Sequence, residues 1–163
     1  MKSLAGKRAI VTGAASGLGE ATARNFAEGG ATVTIFDRDV ERGEQVAAEI
    51  GGYFVETDVT DEASVQAAIS FAKEKMERIT AAVNCAGIAL AVKTLGRDGP
   101  HDLAAFQRTI DINLIGSFNV ARLAAEAMSE NAPEADGARG VIINTASIAA
   151  MDGQKGQAAY AAS

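Results

Sequence analysis

The stretch KRAIVTGAASGLG, residues 7–19, decides the fold. Its first half is a short run rich in β-branched residues and reads as a strand over residues 7–12. Three glycines follow, Gly13, Gly17 and Gly19, and a helical period begins at Gly17. Glycines at a strand-to-helix junction let the backbone turn sharply and let a diphosphate come close to the amides. The unpaired N–H groups and positive dipole end of the helix then face the anion. Gly13, Ser16, Gly17, Leu18 and Gly19 are therefore the expected phosphate cradle. The spacing is G-x-x-x-G-x-G rather than G-x-G-x-x-G, and alone such a cluster also reads as a structural turn. Its place between strand and helix is what points to a nucleotide.

Working outward, the same alternation repeats. Residues 32–36 (TVTIF), 53–55, 81–84 and 140–145 (GVIINT) read as further strands. Helices are expected over Gly17–Glu28, with Leu18, Thr22 and Phe26 on one face, and over Val40–Ile50. Asp61 caps a third helix, whose Val65, Ala68, Ile69, Ala72 and Met76 fall at i, i+3, i+4, i+7 and i+11. A long helix before the fifth strand carries Phe106, Ile110, Leu114, Phe118, Ala121 and Met128 on one side. Strands alternating with helices imply parallel pairing through right-handed crossovers, hence an α/β fold with a doubly wound parallel sheet, the Rossmann arrangement. Residues 1–163 read as a single dinucleotide-binding domain, and the strands are apolar on both faces, as a sheet covered on both sides requires. Two polar excursions stand out. Residues 93–102 follow the carboxyl end of a strand, where ligands bind in such sheets; residues 129–139 precede a strand and belong on the opposite edge.

Asp37 ends the second strand, eighteen residues after Gly19. A carboxylate there can accept both ribose hydroxyls of adenosine and repel a 2′-phosphate, which favours NAD over NADP. Arg38 pulls the other way, as a cation suited to the extra phosphate. A helix cap is the structural alternative for this segment, and Asp39 can fill that role beside Asp37.

Composition narrows the class. Of 163 residues, 48% are hydrophobic and 22% charged, the balance of a soluble globular protein. The formal net charge of -6 argues against nucleic acid as a partner, so any phosphate must be held by backbone amides and local dipoles. The single cysteine, Cys85, excludes an internal disulfide and fits a reducing compartment. The longest nearly apolar stretch, residues 81–92, is too short to span a bilayer and contains Asn84. A cytoplasmic protein with no membrane partner and no metal site is expected. The only histidine, His101, sits beside Pro100 in a polar loop and reads as solvated.

These residues together resemble the short-chain dehydrogenase/reductase family. The resemblance is carried by TGxxxGxG (residues 12–19), Asp58-Val59, Asn84-Cys85-Ala86-Gly87, Asn113, Ser147, and Tyr160 thirteen residues later. It covers the whole chain, with the motifs in the family's order. VNCAGIA (residues 83–89), the excursion after it, and RGVIINTASIAA (139–150) followed by GQ-x-GQAAY (153–160) are closest to members acting on 3-hydroxyacyl-CoA.

The resemblance implies that NAD is the cofactor, with Asp58 and Val59 flanking the adenine, Asp58 by its side chain and Val59 by its backbone. Asn84, Ala86 and Gly87 would line the adenosine ribose and support the strand. Cys85 stands where the family usually has Asn and reads as packing. The implied reaction moves a hydride between a secondary alcohol carbon and the nicotinamide. Tyr160 would be the acid/base, Ser147 would hydrogen-bond the substrate oxygen, and Asn113 would hold a water relay. A tyrosine acting near neutrality needs a neighbouring cation, because its ordinary pKa is about 10. The family supplies a lysine four residues on, the position after Ser163, where this sequence stops. The expectation is a sheet cut after its fifth strand and a 163-residue polypeptide with little activity. The intact enzyme is expected to be a homotetramer. A non-catalytic NAD-binding module, and a reductase of steroids or oxoacyl carrier protein, remain open alternatives.

Overall fold

Five parallel strands in the order β3-β2-β1-β4-β7 form the centre of the computed structural model, which describes residues 3–163. They are β1 (Arg8–Thr12), β2 (Thr32–Asp37), β3 (Tyr53–Glu56), β4 (Ala81–Asn84) and β7 (Val141–Asn144). The chain winds outward from β1 to β3, returns to the other side of β1 with β4, and continues outward. The order therefore reverses between β1 and β4, the switch point at which open α/β sheets bind ligands.

Alternation along each strand feeds two cores. Ile10, Phe36 and Ala82 face one side, where they meet helices α3 (Glu62–Met76) and α5 (Ser117–Ser129). Val11, Val33, Ile35 and Val83 face the other, against α1 (Gly17–Glu28) and α2 (Val40–Ile50). Each fully buried aliphatic side chain contributes about 1.5–3 kcal/mol of transfer free energy. In α3 the five spaced residues, Val65, Ala68, Ile69, Ala72 and Met76, are all buried as expected. Its cap is Asp61, whose carboxylate accepts from the Ala63 amide at 2.8 Å.

Three expectations change. In α1 the buried positions are Gly19 and Ala23, while Leu18 is 75% exposed. Small residues let this helix lie close on the sheet, and Leu18 projects beside the turn instead. The long helix is two helices, α4 (Leu103–Ile110) and α5, joined by a π-helical turn over Asp111–Gly116. A π turn takes in one extra residue and rotates the following face by about 100°. Leu114 and Phe118 are exposed in consequence, Met128 is buried as expected, and Val120, Leu123, Ala124 and Ala127 are buried with it. Residues 93–102 hold a small antiparallel hairpin, β5 (Leu95–Gly96) with β6 (Gly99–Pro100), where a loop is expected.

The excursion before β7 lies at the amino ends of the strands, as its position implies. Glu134 there pairs with Lys7, next to the start of β1. Among the described residues no helix is long and apolar enough to cross a membrane.

Candidate active site

Strand register places Thr12, Phe36, Asn84 and Asn144 side by side at the carboxyl edge. A cleft of about 550 Å³ opens above them, a size common for cofactor sites. Its lining includes Gly13, Ser16, Gly17, Leu18, Gly19, Asp37, Asp58, Val59, Ala86, Gly87, Asn113, Ser147 and Tyr160. Every expected site residue but Asn84 is there.

The glycine turn is held from both sides. The Thr12 hydroxyl accepts from the Cys85 and Ala86 amides at 3.1 and 3.0 Å, tying the end of β1 to the segment after β4. Thr12 is 1% exposed, and its polarity at a strand end was the one signal in the sequence for this role. A Cβ on Gly19 would come within 2.2 Å of the Gly13 carbonyl oxygen, so only glycine lets α1 seat this close to the turn. At Gly17 the requirement differs. Its φ of 57° favours glycine, and a Cβ there would meet nothing within 4 Å, because it would project into open space. The first intrahelical bond runs from the Glu20 amide to the Ser16 carbonyl, which leaves the amides of Gly17, Leu18 and Gly19 without helical partners. The Ser16 side chain makes no capping bond. Free amides, a free hydroxyl and a helix N-terminus around open space fit a diphosphate.

Asp37 closes the turn from the β2 side. One carboxylate oxygen accepts from the Ala15 amide at 2.9 Å and the other from the Asp39 amide at 3.0 Å. Each oxygen keeps lone pairs for a further donor. Asp39 separately caps α2 through the Arg42 amide, so the two aspartates divide the tasks. Arg38 Nε lies 3.6 Å from Asp58 Oδ2. Partial burial pushes the Asp58 carboxyl up. Its bonds from the Thr60 hydroxyl and amide, with the charge of Arg38, outweigh that and hold it below the ordinary value. The Val59 carbonyl accepts from Asn119 at 3.0 Å, leaving the Val59 amide as the group available to a ligand.

Asn84 is the correction. It is 2% exposed and lies beneath the cleft floor. Its amide donates to the Ser117 carbonyl at 3.2 Å and to Asn144 Oδ1 at 2.9 Å, so it joins β4 to α5 and β7 rather than lining a ribose. Cys85 does line the cleft. Burial pushes its thiol up, against a weaker opposing bond from Thr22, which keeps it protonated at neutrality and suits packing. His101 is half-buried, not fully solvated: its Nδ1 lies 2.7 Å from the Asp102 carbonyl and its ring stands edge-on to Phe106.

The remaining residues sit at the opposite end. Ser147 precedes a 3-10 turn, Ile148–Ala150, and its oxygen accepts from the Ala149 amide at 3.2 Å, leaving its proton free to donate. Tyr160 lies in the short helix α6 (Ala158–Ala161), which packs against α4 and the 3-10 turn. The π turn carries Asn113. Its Oδ1 accepts from the Ile88 amide at 2.9 Å, and its Nδ2 donates to the Ile88 carbonyl and to Ser163 Oγ, each at 3.0 Å. Sequence reading missed Arg108, Ile112, Ser117 and Thr145 in the lining; the first three belong to no motif, and Thr145 lies unremarked inside RGVIINTASIAA.

Unpartnered amides at the glycine turn, the anchored Asp37 carboxylate, Ser147 and Tyr160 thus line one cleft at the carboxyl ends of the strands. Residues 7–163 match the short chain dehydrogenase family, and the chain belongs to it. It is 52% identical to 3-hydroxyacyl-CoA dehydrogenase type-2 of Rattus norvegicus, over 100% of this chain and 64% of the relative. The Drosophila melanogaster protein of that name is 53% identical over 94% of this chain and 62% of its own length. The crystal structure of 3-hydroxyacyl-CoA dehydrogenase type-2 from Mycobacterium avium superimposes with a TM-score of 0.90 at 45% identity, covering 96% of this chain and 63% of that one. The chain thus spans just under two thirds of the length of these relatives.

Proposed function

We propose that this protein transfers a hydride between NAD and a secondary alcohol carbon, with a 3-hydroxyacyl-CoA as substrate. The observation that carries the reading is the shared cleft: Asn113, Ser147 and Tyr160 line the same cavity as the glycine turn and Asp37. The substrate class rests on the similarity to the type-2 dehydrogenases.

Bound nicotinamide supplies the hydride acceptor. The chain's own residues do the rest. Amides of Gly17, Leu18 and Gly19 with the Ser16 hydroxyl hold the diphosphate. Asp37 accepts the adenosine ribose hydroxyls, and its charge opposes a 2′-phosphate, which sets NAD over NADP. Asp58 and the Val59 amide flank the adenine. Ser147 donates to the substrate oxygen and steadies charge developing there. Tyr160 takes the alcohol proton in oxidation and returns it in reduction. We place Asn113 as the brace behind this pair rather than as a side-chain water ligand, because its amide is already engaged three times.

The same reading takes residues 1–163 as one dinucleotide-binding domain of a cytoplasmic homotetramer without nucleic-acid or membrane partners. The net charge of -6 and the single cysteine support the location and the lack of nucleic acid. Exposed Leu114, Ile115 and Phe118 support assembly.

The test is NADH formation by the full-length protein from a 3-hydroxybutyryl-CoA, followed by absorbance. Turnover that falls at least about a hundredfold in Tyr160→Phe supports the assignment. NAD binding without turnover of any hydroxyacyl-CoA, steroid or acyl-carrier substrate would make it a cofactor-binding module instead.

A further inference from the structure

Ser163 carries a hydrogen-bond relay that no motif assigns. Its hydroxyl accepts from Asn113 Nδ2 at 3.0 Å and donates to the Tyr160 carbonyl at 3.1 Å. Asn113 in turn clamps both backbone groups of Ile88, at 2.9 and 3.0 Å. One continuous path therefore joins three separate pieces of the cleft wall: the segment after β4, the π turn, and α6. All four of its hydrogen bonds are partly buried, where they are less open to exchange with water.

We propose that Ser163 is a positioning residue, whose hydroxyl fixes Tyr160 against the Asn113–Ile88 brace. The relay supplies the lateral restraint. Only a small side chain that both accepts and donates serves both neighbours at once: alanine does neither, and threonine keeps both functions. A tyrosine acting in proton transfer is sensitive to displacement, because misplacing a reacting group by about 1 Å can cost about a hundredfold in rate.

The inference rests on the dehydrogenase reading, and the experiment separates the two. Ser163→Ala, Ser163→Thr and wild type are compared in the full-length protein for kcat, KM, thermal midpoint and the pH dependence of kcat. The expected result for Ser163→Ala is a kcat lowered about five- to tenfold, with KM for the hydroxyacyl-CoA within about twofold. The pH dependence of kcat should change with it, because proton transfer is the step the displacement affects. Ser163→Thr should restore both. Unchanged kcat and pH profile in Ser163→Ala, or a loss matched by the fraction unfolded, overturns the inference while leaving the dehydrogenase reading intact. A wild-type protein that turns over no substrate overturns the dehydrogenase reading itself, and the inference with it.

Discussion

At the scale of single residues, the proposed choice of dinucleotide rests on charge and space at the turn. Asp37 is anchored by two amides, so its carboxylate is held in place before any ribose arrives. Asp37→Asn keeps the size and part of the bonding but removes the charge that opposes a 2′-phosphate. The ratio of NADP to NAD affinity, measured by calorimetry, should rise about tenfold, equal to about 1.4 kcal/mol. No change in that ratio would place the ribose elsewhere. Gly17 and Gly19 should fail differently. A methyl at Gly19 strikes backbone atoms, so Gly19→Ala should lower stability by about 1–3 kcal/mol, seen as a drop in thermal midpoint. A methyl at Gly17 enters open space, so Gly17→Ala should cost about 1–2 kcal/mol for its φ and weaken NAD binding beyond that.

At the scale of elements, α1 and α2 are joined by charges that respond to acid. Glu20 bonds Arg24 at 2.8 Å and Arg42 at 2.9 Å, and Arg24 also reaches Glu49. The Arg24 bond, helped by Arg42 and opposed by partial desolvation, lowers the Glu20 carboxyl below its ordinary value of 4.5. A lowered carboxyl adds stability that is complete above the unfolded value and disappears as pH falls through the folded one. Glu20→Gln should therefore melt below wild type at pH 7, and the gap should close as melts are taken progressively below pH 4.5. A constant gap would assign Glu20 to packing alone.

Elements also show where the sequence was legible. Regular periods were readable: α3 buries the very residues its spacing selected, and the strands alternate as a covered parallel sheet must. The glycine turn and Asp37 could be placed at the cleft because each lies at a strand end on the carboxyl edge of the sheet. The π turn was not, since one extra residue leaves no mark in composition and yet rotates Leu114 and Phe118 out of the core. Asn84 was misplaced for a related reason. Its place in the motif gives no sign of burial, and its side chain turns instead to the Ser117 carbonyl and Asn144. Ser163 carried no sequence signal at all, because its partners lie three and fifty positions away.

At the scale of the whole molecule, surfaces left apolar need partners. Phe118 is 66% exposed and Ile115 50%, where the π turn meets α5. Phe118→Glu should shift the full-length protein toward smaller species in light scattering, with far-UV circular dichroism retained. An unaltered mass would exclude this face from assembly. The two ends of the cleft, cradle and Ser–Tyr pair, come from segments more than a hundred residues apart, brought together by the order reversal between β1 and β4. The most direct measurement of that arrangement is a crystal structure of the full-length protein with NAD. The diphosphate should lie on the amides of Gly17–Gly19, the adenosine ribose on the Asp37 carboxylate, and the nicotinamide toward Ser147 and Tyr160. A dinucleotide bound elsewhere, or an Asp37 carboxylate turned away from the ribose, would contradict the account.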